Sequence, residues 1–240
     1  MLDKLMLITL APLLLWQGRK VRQTTLRLPE AAGARRGSSG QGKPLRLLIL
    51  GDSSAAGVGA STQKHALAGQ LTEKLSQQYQ VSWQVLAESG LTNKQLLRKL
   101  DGLDRQEYDC VVVAVGVNDV TAGTQDSQWL AQLQQLREQL SSEFNVQQIF
   151  VSAIPPMQYF SALPRPLSHY LGRRAQRLNR LTERVAQSCN DLFFVPVELG
   201  VNSDMLAADG FHPSEQAYVI WAEQLAAAIK TILLGSTANK

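Results

Sequence analysis

The sequence predicts an α/β domain of three layers, in which a parallel sheet of five strands is covered by helices on both faces. From Leu45 onward, short apolar runs alternate with longer segments of helical periodicity, as in successive βαβ units. The run at residues 110–115 is apolar throughout and rich in valine, which is typical of a central strand buried on both faces. A chain of 240 residues with 45% apolar composition is also long enough to form one large core.

The predicted elements follow one another in a regular order. Each strand is a short apolar run, and each helix repeats apolar residues on one face. The strands are expected at residues 45–50, 81–87, 110–115, 148–153 and 192–195. The helices are expected at residues 64–79, 93–100, 127–141, 168–189 and 213–233. The last helix is expected to begin at Pro213, because a proline at the first helical position lacks only an N–H group that would be unpaired there.

The first 44 residues are predicted to form a separate segment, and the domain is expected to span residues 45–235. The segment begins with an apolar stretch at residues 5–16. It continues with the basic residues 19–46, in which Glu30 is the only acid. Residues between Pro29 and Pro44 are rich in glycine, serine and charge, so that they are expected to be a flexible linker.

Two interpretations of the apolar stretch stay open. It is shorter than the roughly 18 to 20 residues that cross a bilayer comfortably, and it lacks the basic start and cleavage site of a signal peptide. As an uncleaved anchor, it would bring residues 1–46 to a membrane surface, with the basic residues facing anionic lipid. As a helix packed on the domain, it would belong to a cytoplasmic protein.

Three of the predicted strands end in residues that are suited to catalysis. Gly-Asp-Ser at residues 51–53 follows the first strand, Glu-Ser-Gly at 88–90 the second, and Gly-Val-Asn-Asp at 116–119 the third. The carboxyl ends of parallel strands lie along one edge of the sheet, so Ser53, Gly90 and Asn118 are expected to converge. Ser53 alone would be a weak signal, since a serine at a strand end is more often a turn or cap residue.

A fourth segment, residues 209–213, precedes the last helix. Its His212 lies three residues after Asp209, so that the carboxylate can hold one ring nitrogen while the other faces a nucleophile. The chain has three histidines, and neither His65 nor His169 has an aspartate at comparable spacing. Both of these are expected to be solvated or capping residues.

In this order, the four segments Gly-Asp-Ser, Gly90, Gly-x-Asn-Asp and Asp-x-x-His resemble the SGNH (GDSL-type) hydrolase family over about residues 45–233. Ser54 stands where the family name has leucine. The resemblance implies a flavodoxin-like SGNH hydrolase fold and a serine hydrolase that cleaves carboxylic esters. It assigns three catalytic residues: Ser53 as nucleophile, His212 as base and Asp209 as the carboxylate that orients the base.

The resemblance also implies an oxyanion hole, and it leaves the substrate open. The donors would be the backbone N–H groups of Ser53 and Gly90 and the side-chain amide of Asn118. Esterase, thioesterase and lysophospholipase activities would all use this machinery, on a small-molecule or lipid ester. The loop at residues 154–166 opens onto the same edge, where lining an acyl pocket and plain packing are equally expected roles. No cofactor and no metal are predicted.

Other classes of function fit the sequence less well. The run Gly57-Val58-Gly59 lacks the lysine of a phosphate loop and the third glycine of a dinucleotide fingerprint. No nucleic-acid partner is predicted, and Cys110 and Cys189 belong to no metal-binding or disulfide pattern. A non-catalytic scaffold at a membrane remains an alternative, against which the four intact segments argue.

Overall fold

A six-stranded sheet forms the middle layer of the protein. The computed structural model describes residues 2–200 and 203–237, and it describes only the backbone of residues 2–8, 203, 236 and 237. The strands are β1 (Arg36–Ser39), β2 (Lys43–Gly51), β3 (Tyr79–Ala87), β4 (Cys110–Ala114), β5 (Gln148–Ser152) and β6 (Leu192–Val195). Their spatial order is β1-β3-β2-β4-β5-β6; β2 to β6 are parallel, and β1 is antiparallel to β3. The predicted α/β fold is confirmed, with one more strand than expected.

Helices cover both faces of the sheet. They are α1 (Leu2–Thr24), α2 (Leu67–Leu75), α3 (Asn93–Leu100), α4 (Val117–Ala122), α5 (Asp126–Phe144), α6 (Leu167–Gln187) and α7 (Glu215–Thr237), with short 3-10 turns at Met157–Tyr159 and Ser203–Met205. Helix α7 does not begin at Pro213 as expected. Instead, the Ser214 hydroxyl accepts from the backbone N–H of Ala217, and this cap starts the helix two residues later.

The strands explain why the core has two halves. Alternate side chains of β2 point to opposite faces, so that Leu48 and Leu50 join the half under α3, α5 and α6, while Leu47 and Ile49 join the half under α2 and α7. Every residue of β4 is buried, as expected of a central strand. Cys110 lies in this strand as a packing residue.

Residues 25–42, which connect α1 to β2, form an N-terminal arm. This N-terminal arm is folded onto the sheet. The prediction of a flexible linker is therefore wrong for this segment. Ala31 is buried, and β1 pairs with β3 along the edge of the parallel sheet. All four residues of β1 are exposed, so its sequence carries no apolar alternation. Its physical role is to cover unpaired backbone groups on the edge of β3.

Helix α1 packs on the domain through its inner face. Gln17 is buried, where its amide donates to the Arg165 carbonyl (2.8 Å) and accepts from the Leu167 backbone N–H (3.2 Å). Leu15 and Trp16 remain exposed. Met1 and the side chains of residues 2–8, which belong to the predicted N-terminal segment, lie outside the described part of the chain.

Within the described residues, one helix is long and apolar enough to cross a membrane, and it is α7 over Glu215–Gly235. Its inner face, which includes Tyr218, Trp221 and Leu225, is buried against the sheet and α2. The apolar residues of this inner face are therefore core residues.

Candidate active site

Ser53 lies two residues beyond the end of β2, in a loop that turns tightly over the edge of the sheet. The backbone N–H of Ala56 donates to the Asp52 carbonyl (2.9 Å), and that of Val58 donates to the Ser53 carbonyl (2.9 Å). From α7, the Tyr218 hydroxyl lies 2.7 Å from the Val58 carbonyl oxygen. Burial raises the pKa of Tyr218 well above its ordinary value, so the hydroxyl keeps its proton and holds the loop from below.

His212 lies on a turn that Asp209 fixes from within. One oxygen of Asp209, Oδ1, accepts from the backbone N–H groups of Phe211 (2.9 Å) and His212 (3.0 Å). The turn touches the Ser53 loop at Gly59, which has φ +98°, and a Cβ there would lie 2.1 Å from the Pro213 carbonyl oxygen. Only glycine permits this approach, which gives the Gly57-Val58-Gly59 run a structural role beside the site.

Ser53, His212 and Asp209 form an unbroken line of hydrogen bonds. His212 Nδ1 lies 2.6 Å from Asp209 Oδ2, and His212 Nε2 lies 2.9 Å from Ser53 Oγ. A carboxylate can only accept, so it places the ring proton on Nδ1 and leaves Nε2 to accept from the serine hydroxyl. The structure thus brings together the three residues predicted as catalytic, in a geometry suited to removing the proton of Ser53.

Gly90 and Asn118 lie at the same edge of the sheet, after β3 and β4. Asn118 lies in the first turn of α4, and its amide donates to the Leu91 carbonyl (3.0 Å), which ties the Gly90 loop to this helix. The amide has a second N–H. Gly90 has φ +88°, and no atom lies within 4 Å of a Cβ built there. Its backbone is therefore open on that side, in a conformation that glycine adopts at no steric cost.

Three aspartates are buried at this edge of the sheet, and their pKa values are shifted in different directions. Burial raises the pKa of Asp52 to about 6, although its carboxylate accepts from the Ser54 backbone N–H (3.1 Å). Burial also raises the pKa of Asp119, which accepts from the backbone at the start of α3. Burial opposes the ionisation of Asp209 too, but hydrogen bonds from His212 and Phe211 outweigh it and lower the pKa. Asp209 is therefore ionised beside His212 at neutral pH.

An apolar pocket opens beside Ser53 and His212, over the carboxyl ends of β5 and β6. Its apolar lining consists of Val117, Ala153, Pro155, Pro156, Tyr159, Phe160, Val197, Leu199, Met205, Leu206, Phe211, Pro213 and Trp221. The residues from Val197 onward were missed by the sequence analysis, because nothing in their pattern distinguishes a pocket wall from a core face.

The loop at residues 154–166 contributes both to the wall of this pocket and to the core. Tyr159 and Phe160 line the pocket, while Met157 and Leu163 are buried in the core. Asn179 of α6 fixes the start of the loop, since its amide accepts from the Ile154 N–H and donates to the Ile154 carbonyl, both at 2.8 Å. The pocket wall is therefore anchored to a helix.

The N-terminal arm also reaches this edge, through two residues that the sequence analysis missed. Glu30 accepts two hydrogen bonds from Ser89, the residue before Gly90, and forms an ion pair with Arg35 (2.5 Å). The one signal in the sequence that could have pointed to Glu30 is that it is the only acidic residue in the basic segment 19–46. Its partner, 59 residues away, could not be read from any local pattern.

The described part of the chain offers no metal centre. No group of three or more His, Cys, Asp or Glu side chains among those residues could hold a metal ion. Cys110 and Cys189 are free thiols. Burial raises the pKa of Cys110, so its thiol is neutral and unreactive.

The chain is similar to known proteins over the region that holds these residues. A family model described as the GDSL-like lipase/acylhydrolase family matches residues 49–220. A GDSL-like esterase of Mycobacterium tuberculosis, Rv1075c, is 26% identical over 204 residues. That alignment covers 79% of this chain and 63% of the relative, so the chain spans less than two thirds of the relative's length.

Three solved structures share the fold. TesA superposes with a TM-score of 0.63 at 23% identity, over 78% of this chain and 99% of its own. The lipase Lip_vut3 from a goat rumen metagenome has a TM-score of 0.62 at 18% identity, over 77% and 97%. The esterase EstA from Pseudoalteromonas sp. has a TM-score of 0.59 at 22% identity, over 78% and 98%.

Proposed function

The chain belongs to the GDSL-like lipase/acylhydrolase family of ester hydrolases, as the sequence resemblance predicted, and on this premise we propose that it is a serine esterase. The proposed nucleophile is Ser53, the proposed base is His212, and Asp209 orients the base. The observation that carries the proposal is the line of hydrogen bonds from Asp209 through His212 to Ser53. This geometry favours a hydrolase over a non-catalytic scaffold.

In the proposed acylation step, Ser53 Oγ attacks the carbonyl carbon of the ester while His212 Nε2 takes the serine proton. A tetrahedral intermediate forms. The bond to the leaving alcohol then breaks as the imidazolium returns the proton to the departing oxygen, which leaves an acyl ester on Ser53. The ionised Asp209 stabilises the imidazolium between these two transfers.

Deacylation repeats the same sequence with water as the nucleophile. His212 takes a proton from the water, whose oxygen attacks the acyl carbon. The second intermediate collapses, Ser53 Oγ leaves with the proton from His212, and the carboxylic acid is released. No redox step or external electron donor is needed.

The negative oxygen of both intermediates requires hydrogen-bond donors that are already in place. We assign this role to the backbone N–H groups of Ser53 and Gly90 and to the Asn118 amide. The link from Asn118 to the Leu91 carbonyl supports the assignment, because it fixes two of the three donors relative to each other. Losing one donor typically lowers the rate by about 100- to 1,000-fold.

The pocket beside Ser53 supports an ester with an apolar acyl chain. Its lining is largely aliphatic and aromatic, and it also includes Ser53 and His212, the proposed nucleophile and base. Each buried CH₂ group contributes about 0.8 kcal/mol, so chain length should affect binding strongly. A thioester or a lysophospholipid would present the same carbonyl and chain. The membrane contact of residues 1–46 is not needed for this activity and stays a prediction.

The test is to replace the proposed nucleophile and base. Ser53→Ala and His212→Ala should each lower the kcat of p-nitrophenyl butyrate hydrolysis by about 10⁶-fold, because each removes a group that the first step requires. Ser61→Ala and His65→Ala are matched controls, since this nearby pair is exposed and hydrogen-bonded outside the line to Asp209. Circular dichroism would establish folding, and substantial activity in either Ser53→Ala or His212→Ala would overturn the mechanism.

A further inference from the structure

The loop that carries Gly90 is held from both sides. After Gly90, the Leu91 carbonyl accepts from the Asn118 amide at 3.0 Å. Before Gly90, both the backbone N–H and the hydroxyl of Ser89 donate to Glu30 Oε1, each at 2.7 Å. Glu30 is thus the counterpart of Asn118 on the other side of the glycine, although it comes from the N-terminal arm.

Glu30 is itself fixed in place by Arg35. The guanidinium of Arg35 binds Glu30 Oε2 at 2.5 Å and donates to the carbonyl of Ala87, the last residue of β3, at 2.6 Å. Burial opposes the ionisation of Glu30, but the hydrogen bonds from Ser89 and Arg35 outweigh it and lower the pKa of the carboxyl. Glu30 is therefore a carboxylate at neutral pH, and such charge-assisted hydrogen bonds are the stronger ones.

The N-terminal arm is anchored to the folded body by the residues that directly follow this carboxylate. Buried Ala31 receives a hydrogen bond at its carbonyl from Gln63, and Gln63 also donates to Ala56 in the Ser53 loop (2.9 Å). The Arg35 carbonyl accepts from the Val85 backbone N–H of β3 at 2.7 Å. The arm therefore contacts both the loop of the proposed nucleophile and the loop of Gly90.

We propose that Glu30 is a positioning residue for the oxyanion hole: by holding Ser89, it fixes the direction of the Gly90 backbone N–H. This inference rests on the proposed function. Gly90 has φ +88°, and no atom lies within 4 Å of a Cβ built there, so no packing on that side of the residue fixes its orientation. Donors in an oxyanion hole act by being aligned in advance, and a displacement of about 1 Å at a catalytic group can lower the rate by about 100-fold.

The alternative is that Glu30 only fastens the N-terminal arm to the domain. The two roles predict different kinetics. A fastening role would change the thermal stability, with no particular effect on the transition state. A positioning role would lower kcat while KM stays nearly constant, because the oxyanion develops only after the substrate has bound.

The experiment compares Glu30→Ala and Glu30→Gln with a control at the opposite edge of the sheet. Glu107 pairs with Arg46 at 2.8 Å, so Glu107→Ala also removes a Glu–Arg pair, but far from the proposed site. We expect Glu30→Ala to lower kcat by about 10- to 100-fold with KM changed by less than about twofold. Glu30→Gln keeps an oxygen that can accept from Ser89, and it should retain more activity. Glu107→Ala should match the parent protein.

A second readout is the inhibition constant of an alkyl boronic acid, which forms a tetrahedral adduct on a serine nucleophile. For Glu30→Ala, this constant should rise by about the same factor as kcat falls. If Glu30→Ala does not fold, Ser89→Ala tests the same contact with a smaller change. It removes only the hydroxyl of an exposed residue and leaves the backbone N–H in place, and it should lower kcat several-fold.

The proposal is overturned if kcat of Glu30→Ala stays within twofold of the parent, or if kcat falls while the boronic acid binds as before. It is also overturned if Glu30→Ala does not fold and Ser89→Ala is fully active. Failure of the proposed function is distinguishable, because the parent protein would then be inactive, or Ser53→Ala would be active, before any Glu30 variant is measured.

Discussion

The two carboxylate oxygens of Asp209 have separate partners. Oδ1 accepts from backbone N–H groups of its own turn, and Oδ2 accepts from His212. In Asp209→Asn the amide oxygen can keep the backbone contacts, but the NH₂ group can only donate to His212 Nδ1. The ring proton would then move to Nε2, which could no longer accept from Ser53. We expect kcat for a p-nitrophenyl ester to fall by about 10⁴-fold with a small change in thermal midpoint.

The result that would contradict this role for Asp209 is a loss in kcat of less than about tenfold in a folded variant.

At the scale of single residues, the sequence was most informative where short segments carry the chemistry. Asp209 and His212 are three residues apart, and Ser53 directly follows an apolar run, so both could be found by spacing. Glu30 could not, because its contact with Ser89 depends on how the N-terminal arm folds back along the sheet.

Among the elements, the buried strands and long helices were predictable because burial imposes a period on their sequences. Helix α3 occupies the residues 93–100 that its pattern predicted, and β6 occupies residues 192–195. Two short elements without an apolar pattern were missed. Helix α4 has only six residues, and the four residues of β1 are all exposed, so neither shows an apolar period, whereas β6 is equally short but apolar throughout. Both are stabilised by the neighbours that they pack against.

The loops after β5 and β6 supply the walls of the apolar pocket, and they carry the prediction on substrate. Val197→Phe, in the segment after β6, would fill part of the pocket. In the parent protein, kcat/KM should rise by about threefold to fourfold for each CH₂ group from acetyl to hexanoyl esters, following the free energy of burying apolar surface. In Val197→Phe the rise should stop at a shorter chain.

The acetyl ester is the internal control for this variant, since we expect its short acyl group to stop before Val197. Its kcat/KM should be unchanged in Val197→Phe, while that of the hexanoyl ester falls at least tenfold, which corresponds to about two CH₂ groups. Equal profiles of kcat/KM against chain length in the two proteins would show that the acyl chain lies elsewhere.

For the whole molecule, the buried carboxyl of Asp52 makes stability depend on pH. Because burial raises its pKa to about 6 in the folded protein, the folded state favours the protonated form. The contribution of Asp52 to the free energy of unfolding is therefore fully present below the pKa of about 4 of an unfolded aspartate, and it is lost as the pH rises through about 6. The opposite sign applies to Asp209, whose lowered pKa gives stability that is lost on acidification.

Asp52→Asn separates this contribution from the others, because asparagine stays neutral and its oxygen can still accept from the Ser54 N–H. The variant should match the parent protein at pH 4 in urea unfolding. At pH 7.5 it should be more stable by on the order of 3 kcal/mol, the free-energy equivalent of the shift in pKa.

Asp109→Asn is the matched control, because the pKa of this aspartate is shifted in the opposite direction. Burial raises the pKa of Asp109, but hydrogen bonds from Arg46 outweigh it and lower that pKa. This variant should therefore be less stable than the parent above the pKa of about 4 of an unfolded aspartate, by an amount that stays nearly constant from pH 4 to 7.5 and shrinks only on further acidification. If the free energies of unfolding of Asp52→Asn and the parent protein run parallel from pH 4 to 7.5, Asp52 does not titrate in the folded state as inferred.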